Sequence, residues 1–278
     1  MHPYINVFGW FKIPSYGLMM AIALITAILF SYFRAKKAKL DLDVFSNLAI
    51  IAIACGLLSA YLLYLFVTYS VKEIFASIAN GSFSVFKDAG LVFYGAIIGG
   101  VLSALIYLKI KKQKFFEYAA CIVPSIPLAH AIGRVGCFLA GCCYGKCVET
   151  PISVVYPANA ITDVPTGVPV FPIQLVESAC NIIVFIILLI YTGREMKKGS
   201  VIFLYMILYA IERFVLEYFR ADEIRGIFLG LSTSQWISIA IFIGGIFGFI
   251  LLYICEKKKK NSTSEPEIQP AKETVSEE

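Results

Sequence analysis

Charge is scarce in this chain. Of its 278 residues only 15% are charged, against 59% hydrophobic. A soluble domain carries roughly 25% charged residues, so the composition excludes that class. Histidine is nearly missing: His2 and His130 are the only two. A Ser-His-Asp hydrolase of the usual kind would have to use one of them, and no Gly-x-Ser-x-Gly turn accompanies either. No segment of about ten residues alternates polar and apolar side chains, as a transmembrane β-barrel requires. No period of roughly 20–50 residues repeats. The net charge of +5 is not gathered into an aromatic-studded basic patch, so nucleic acid is not an expected partner. Met1 to Ile13 carries one lysine and no small-residue cleavage site. The first apolar run is therefore expected to stay in the protein rather than leave as a signal peptide.

What the chain has instead is apolar runs near twenty residues, the length that crosses a bilayer as a helix. Seven are counted, at about 16–33, 45–69, 91–110, 115–133, 173–192, 200–219 and 231–255. Basic residues cluster in alternate connections: Arg34-Ala-Lys-Lys-Ala-Lys39, Lys109-Ile-Lys-Lys-Gln-Lys114, Arg194-Glu-Met-Lys-Lys198 and Lys257 to Lys260. Basic connections stay on the cytoplasmic side. The expected fold is thus an all-α integral membrane protein with seven transmembrane helices, the N-terminus outside and the C-terminus cytoplasmic. The loops 70–90, 134–172 and 221–230 then face outward. Residues 1–256 form one membrane domain. Residues 257–278 are polar and mixed in charge, and are expected to be a disordered cytoplasmic tail.

Two polar clusters stand out where polar groups are costly. The stretch His130-Ala-Ile-Gly133-Arg134-Val-Gly-Cys137 runs on to Gly145. It is expected to end the fourth apolar run and open a long loop. Backbone can approach a ligand closely at glycine, and a guanidinium can fork onto phosphate oxygens. His130 lies one helical turn before Arg134, as a neighbouring polar group or as a satisfied buried histidine. In the sixth run Tyr209, Arg213, Glu217 and Arg220 recur at i, i+4, i+8 and i+11, within roughly 80° of one helix face at ~100° per residue. Arg213 would sit about 10 Å deeper than Arg220. A charge near a helix centre costs roughly 2.5–3.5 kcal/mol, so Arg213 needs a partner. Glu217, one turn on, can be that partner. Two arginines for one glutamate leave a cation over, which an anionic ligand would complete.

Other polar positions admit two readings each. Gln174 and Glu177 open the fifth run after Phe171-Pro172. Glu177 either benefits from the helix dipole or serves a site. Gln174 either bridges to a head group or caps loop carbonyls. Tyr16 marks the outer water interface of the first run, where interfacial tyrosines are common. Tyr94, in Phe93-Tyr94-Gly95, is a phenol near the outer third of the third run. Cys137, Cys142, Cys143 and Cys147 lie close together in an outward segment. Disulfides or packing, a thiol nucleophile and a metal site are the three readings. With no CxxC pair and no following histidine, no metal ligand set and no cofactor are expected.

With these residues in view, the chain resembles the prolipoprotein diacylglyceryl transferase family over nearly all of its length except the tail. Tyr16-Gly17, Phe93-Tyr94-Gly95, the His130–Gly145 stretch, Pro172-Ile-Gln174-Leu-Val-Glu177 and the Tyr209–Arg213–Glu217–Arg220 set are similar to the family's motifs. The resemblance implies transfer of a diacylglyceryl group from phosphatidylglycerol to the lipobox cysteine thiol of a prolipoprotein, with glycerol 1-phosphate leaving. It implies phosphatidylglycerol, prolipoprotein signal peptides and membrane lipids as partners, and a multi-pass place in the bacterial cytoplasmic membrane. It assigns catalysis to Arg134, Arg213, Tyr94 and Glu217. Substrate binding falls to Tyr16, His130, Gly133, Gln174, Glu177, Tyr209 and Arg220. The chain departs from the family where Cys137, Ala140 and Cys142 replace asparagines and an acidic residue. Tyr94 replaces a histidine, Gly56-Leu57-Leu58 lacks an arginine, and Val176 replaces a tyrosine. These departures keep two alternatives open: a related membrane transferase with another acceptor, and a non-catalytic lipid-binding or redox-sensing membrane protein.

Overall fold

The computed structural model describes residues 3–7, 11–80, 90, 92–157, 162, 164–193, 199–221 and 226–263. The basic connection 194–198, most of the loop after residue 80 and the residues 222–225 lie outside the described residues, as does His2.

The described chain is mostly helical. A short hairpin, β1 (Tyr4–Val7) and β2 (Phe11–Pro14), leads into α1 (Ser15–Lys37). Then follow α2 (Leu42–Thr68), α3 (Val71–Ala79), α4 (Phe93–Ile110), α5 (Phe115–Ile122) and α6 (Ser125–Ala140). The strands β3 (Val154–Val155) and β4 (Pro169–Val170) precede α7 (Ile173–Gly193) and α8 (Ser200–Leu216). A hairpin of β5 (Ile227–Phe228) and β6 (Leu231–Ser232) leads into α9 (Thr233–Thr263). Leu229 and Gly230 both take positive φ there, as a two-residue hairpin turn demands.

Five described helical stretches are long and apolar enough to cross a membrane: Ser15–Lys37, Leu42–Thr68, Phe115–Ala140, Ile173–Gly193 and Thr233–Cys255. The third of these runs through α5 and α6. The expected runs at 91–110 and 200–219 fold into shorter helices. α4 has 18 residues, of which Tyr94–Ile110 form a shorter apolar helix, and α8 has 17 and carries Glu212 and Arg213. Exposed side chains such as Phe33, Phe66, Ile106 and Ile243 cover the helix sides with apolar surface. A soluble monomer rarely shows so much.

Close helix packing rests on small residues. α4 lies on α2, where a Cβ at Gly99 would meet the Ser59 Cβ at 2.4 Å and one at Gly95 the Ser59 carbonyl at 2.6 Å. α1 packs on α6, α6 on α7, α7 on α8 and α8 on α9. Between α5 and α6 the chain kinks at Pro124, and the Ser125 hydroxyl donates to the Ile122 carbonyl at 2.7 Å. That bond gives the carbonyl a partner where proline interrupts the helical ladder.

Two apolar clusters fill the end of the bundle nearest the basic connections. One joins Ala35, Phe45, Leu48, Leu108 and Tyr118, and the other Val123, Val184, Leu188 and Val201. The opposite end is polar and is covered by the loop after α6. That loop is a packed cap rather than an open excursion: β3 pairs antiparallel with β4, and Tyr156, Val164 and Val170 are buried together against Tyr144.

Several expectations change. The motif around Arg134 does not open the loop; α6 continues through it to Ala140, and Gly141 ends the helix at φ +79°. Gly136 is tolerated inside α6 because a Cβ there would meet Met19 of α1 at 2.8 Å. The sixth run tightens into a 3₁₀ turn at Glu217–Phe219, and Arg220 is extended, so it leaves the helix face of Tyr209 and Arg213. α9 is described as far as Thr263. Residues 264–278 lie outside the described residues.

Candidate active site

The site is built on α7. Gln174, Glu177, Asn181, Val184 and Leu188 are its buried stripe, spaced alternately three and four residues apart. That is one continuous helix face. Its first three members are polar and almost wholly enclosed, at 0%, 2% and 0% exposure. Buried polar groups must find partners, and these find them on three neighbouring elements.

Glu177 is the hub. Its Oε1 lies 2.7 Å from Arg134 Nη2 on α6, and its Oε2 lies 3.5 Å from Arg220 Nη1 beyond the 3₁₀ turn. Arg134 also donates from Nε to His130 Nε2 at 3.2 Å. That nitrogen lies 3.5 Å from Glu177 Oε1 as well, but it cannot both accept from Arg134 and donate to Glu177. The shorter contact is the one from Arg134, so His130 Nε2 accepts from the guanidinium and orients it. Ser178 Oγ donates to the Ala131 carbonyl at 2.9 Å and fixes α7 against α6.

A second cluster sits on α8. Arg213 Nη2 lies 2.7 Å from Glu217 Oε2 and donates to Ser234 Oγ at 3.1 Å. Ser232 Oγ donates to Glu217 Oε1 at 2.8 Å. The Arg213–Glu217 pair one turn apart is present, yet it does not use the whole guanidinium. Arg213 Nη1 is buried without a hydrogen-bond partner among the described residues. Asn181 joins the helices by donating to the Glu177 carbonyl at 2.9 Å and to the Glu212 carboxylate of α8. Tyr209 stands between the clusters, its ring 6.3 Å from His130.

The loop after α6 is clamped to this network. Gln174 Nε2 donates to the Cys142 carbonyl at 2.8 Å and to the Tyr156 hydroxyl at 3.2 Å. Gln174 thus holds the loop from beneath. Gly145 N donates to the Phe171 carbonyl, Lys146 N to the Phe219 carbonyl, and Gly145 bridges Arg220. A Cβ on Gly145 would meet the Phe171 carbonyl at 2.6 Å and the Phe219 carbonyl at 2.9 Å. Glycine is therefore required where the cap crosses the end of the 3₁₀ turn.

The remaining expected site residues lie at the edge. Tyr16 and Tyr94 are 45% and 48% exposed, on α1 and α4. Tyr94 stands near enough to Tyr209 to interact with it electrostatically, and Tyr16 stands likewise near Arg134. Gly133 faces Met20 of α1, whose sulfur a Cβ would meet at 3.3 Å. The arginines, Glu177, His130 and Tyr209 are brought together; the two edge tyrosines border them. Asn181, Ser232 and Ser234 were not foreseen. Asn181 had a signal, since it continues the stripe of Gln174 and Glu177, whereas the serines had none.

A family model described as prolipoprotein diacylglyceryl transferase matches residues 3–251. The chain belongs to this family. Among its relatives, the phosphatidylglycerol–prolipoprotein diacylglyceryl transferase of Clostridium tetani is 39% identical over 246 residues, covering 88% of this chain and 94% of that protein. The second such transferase of Clostridium perfringens is 38% identical, covering 91% of this chain and 94% of its own. That of Clostridioides difficile is 36% identical, covering 90% and 94%. For this transferase-family chain, the match spans both arginine clusters and the cap between them. The eight cysteines are all free thiols.

Proposed function

We propose that this transferase moves the diacylglyceryl group of phosphatidylglycerol onto the lipobox cysteine thiol of prolipoproteins, at the outer face of the bacterial cytoplasmic membrane. Transferase chemistry follows from the family; the geometry supports roles for particular side chains. The observation that carries the reading is the buried Arg213 Nη1, a cationic donor without a hydrogen-bond partner among the described residues, beside the Arg134–Glu177–Arg220 network.

In the reaction a sulfur–carbon bond forms at the glyceryl carbon as the carbon–oxygen bond to phosphate breaks. Glycerol 1-phosphate takes the electron pair, and the acceptor thiol gives up its proton. Charge develops on the departing phosphate, so donors fixed in advance at that place lower the barrier. Arg134 and Arg213 fill that role. Glu177 and Glu217 hold their guanidinium groups, His130 orients Arg134, and Arg220 and Gln174 tie the cap to the network. Tyr209 and Gly133 line the same region. Tyr94 and Tyr16 border it on the lipid side, where the signal peptide thiol and the lipid tails would enter. Tyr94 is assigned to handling the thiol proton.

The proposed topology is seven crossings, with the N-terminus outside and the C-terminus in the cytoplasm. The basic ends of α1 and α4 support it. Residues 1–256 are then the membrane domain and the remainder a cytoplasmic tail.

The test is complementation. The chain is expressed in a bacterium depleted of its own diacylglyceryl transferase, and lipoprotein maturation is followed by gel shift. Restored modification supports the reading. A well-expressed, inserted protein that restores nothing overturns it in favour of another acceptor or a lipid-binding role.

A further inference from the structure

Beside the arginine network, but with no part in the transfer step, lies a cluster of sulfur. The Sγ atoms of Cys137, Cys142 and Cys143 all fall within 4.8 Å of one another. Cys137 is in the last turn of α6, and the other two follow its end. The helix stops at Gly141, where φ is +79°. Cys142 N then donates back to the Cys137 carbonyl at 3.1 Å, so the chain folds over the helix end. Cys143 itself takes φ +56°, a left-handed conformation that a side chain rarely adopts. Such backbone persists only when its surroundings hold it. The hold is visible: Gln174 grips the Cys142 carbonyl at 2.8 Å, and Thr162 Oγ1 grips the Gly141 carbonyl at 2.8 Å. The result is three sulfurs gathered on one side of a pinned turn.

We propose that Cys137, Cys142 and Cys143 form a three-thiolate site for one soft, thiophilic cation of the zinc(II), cadmium(II) or copper(I) class. Thiolates select such metals. Cys137 is buried and the other two are half-buried, so the site is sheltered yet reachable. A divalent cation with three thiolates carries one net negative charge. Arg134 and Arg220 both act electrostatically on Cys143 and supply the balancing positive charge. The Cys142 Sγ donates to the Cys137 carbonyl at 3.7 Å, which keeps it turned toward the helix end. Binding replaces the thiol protons by metal–sulfur bonds: the protons leave to solvent and no electrons move. Cys147 is exposed and stands outside the cluster.

The test uses the full chain in lipid nanodiscs, reduced with a phosphine and freed of reductant without air. Cadmium(II) is titrated in, and thiolate-to-metal charge-transfer absorption is followed. Metal per chain is measured after desalting. The expected result is one cadmium per chain with the absorbance of three thiolates, unchanged in Cys147→Ser. In Cys143→Ser and in Cys142→Ala the affinity falls at least tenfold and the absorbance by about a third. Gel filtration shows that each variant is folded. Absence of the absorption in the wild-type chain overturns the site. So does a folded Cys143→Ser protein that binds as the wild type does. Neither readout depends on transfer, so failure here leaves the complementation result untouched.

Discussion

The Arg134 guanidinium of α6 and the Glu177 carboxylate of α7 meet at 2.7 Å, with Glu177 only 2% exposed. The pair is shared, because the other carboxylate oxygen faces Arg220 at 3.5 Å. One buried anion thus anchors two cations that arrive from different parts of the chain. A buried ion pair contributes little net stability when intact but costs much when broken. In the proposed reaction its use is to hold the arginines in place before an anionic substrate arrives.

In the proposed reaction, removing the Arg134 guanidinium removes a donor to the departing phosphate. Arg134→Ala is expected to lower transfer by roughly two to three orders of magnitude. Arg134→Lys keeps the charge but not the planar fork that reaches both His130 and Glu177, so it is expected to recover only part of the loss. Gel-shift maturation of a reporter lipoprotein in the depleted strain measures both. Full activity in Arg134→Ala would remove this arginine from the mechanism.

Glu177→Gln keeps the shape of the hub and deletes its charge. The enclosed Arg134 guanidinium then lacks its counter-ion and Arg220 loses its contact with Glu177, at a cost of about 3–5 kcal/mol. Less folded protein and a lower unfolding temperature in detergent are the expected outcome, followed by gel filtration after heating. A variant as stable as the wild type would show that another anion holds Arg134 and Arg220.

Adjacent glycines on α4 give an internal control for its packing. A Cβ at Gly99 would meet the Ser59 Cβ at 2.4 Å, whereas at Gly100 its nearest contact is the Ala52 carbonyl at an ordinary 3.5 Å. Gly99→Ala should force α4 away from α2 and destabilise the protein by about 1–3 kcal/mol. Gly100→Ala should be neutral, or stabilise the helix by up to about 1 kcal/mol. Thermal unfolding of the two variants side by side reads the difference. Equal behaviour would contradict the α2–α4 contact.

Tyr94→Phe deletes one oxygen at a half-exposed position. With the phenol handling the thiol proton, the expected change is a drop in kcat of roughly a hundredfold and an unchanged KM for the lipid. Kinetics with a lipobox peptide and phosphatidylglycerol vesicles measure it. Unchanged kcat would leave Tyr94 as an interfacial aromatic.

Much of the site was legible as chemistry but not as geometry. Arg213 and Glu217 are one turn apart on one segment, so their pairing followed from helical spacing alone. Arg220 belongs to the same periodic set, yet it is extended and buried. The cap draws it out of the helix through the Gly145 bridge, and no local pattern announces that. Gly141 was visible in the sequence, but not as the place where α6 ends. The helix runs past Gly133 and Gly136 because α1 needs their missing side chains, a requirement carried by Met19 and Met20 on another helix. For the cysteines, sequence spacing lacked a familiar metal pattern, while the left-handed turn at Cys143 brings three sulfurs together.

Composition and run length by themselves determined a helical protein suited to a membrane. Backbone in hydrocarbon must satisfy its own hydrogen bonds, and apolar runs of this length do so as helices. Composition and motif also determined which residues are costly to bury, and so which must have partners. Only the tertiary structure decided who those partners are. Glu177 joins Arg134 and Arg220, Asn181 joins Glu212, and Gln174 holds the Cys142 carbonyl, because each contact crosses between elements that local periodicity cannot orient. Electrostatic and hydrogen-bond energies depend on separations of a few ångströms, and in this chain those separations are set by the packing of α6, α7 and α8 beneath the cap.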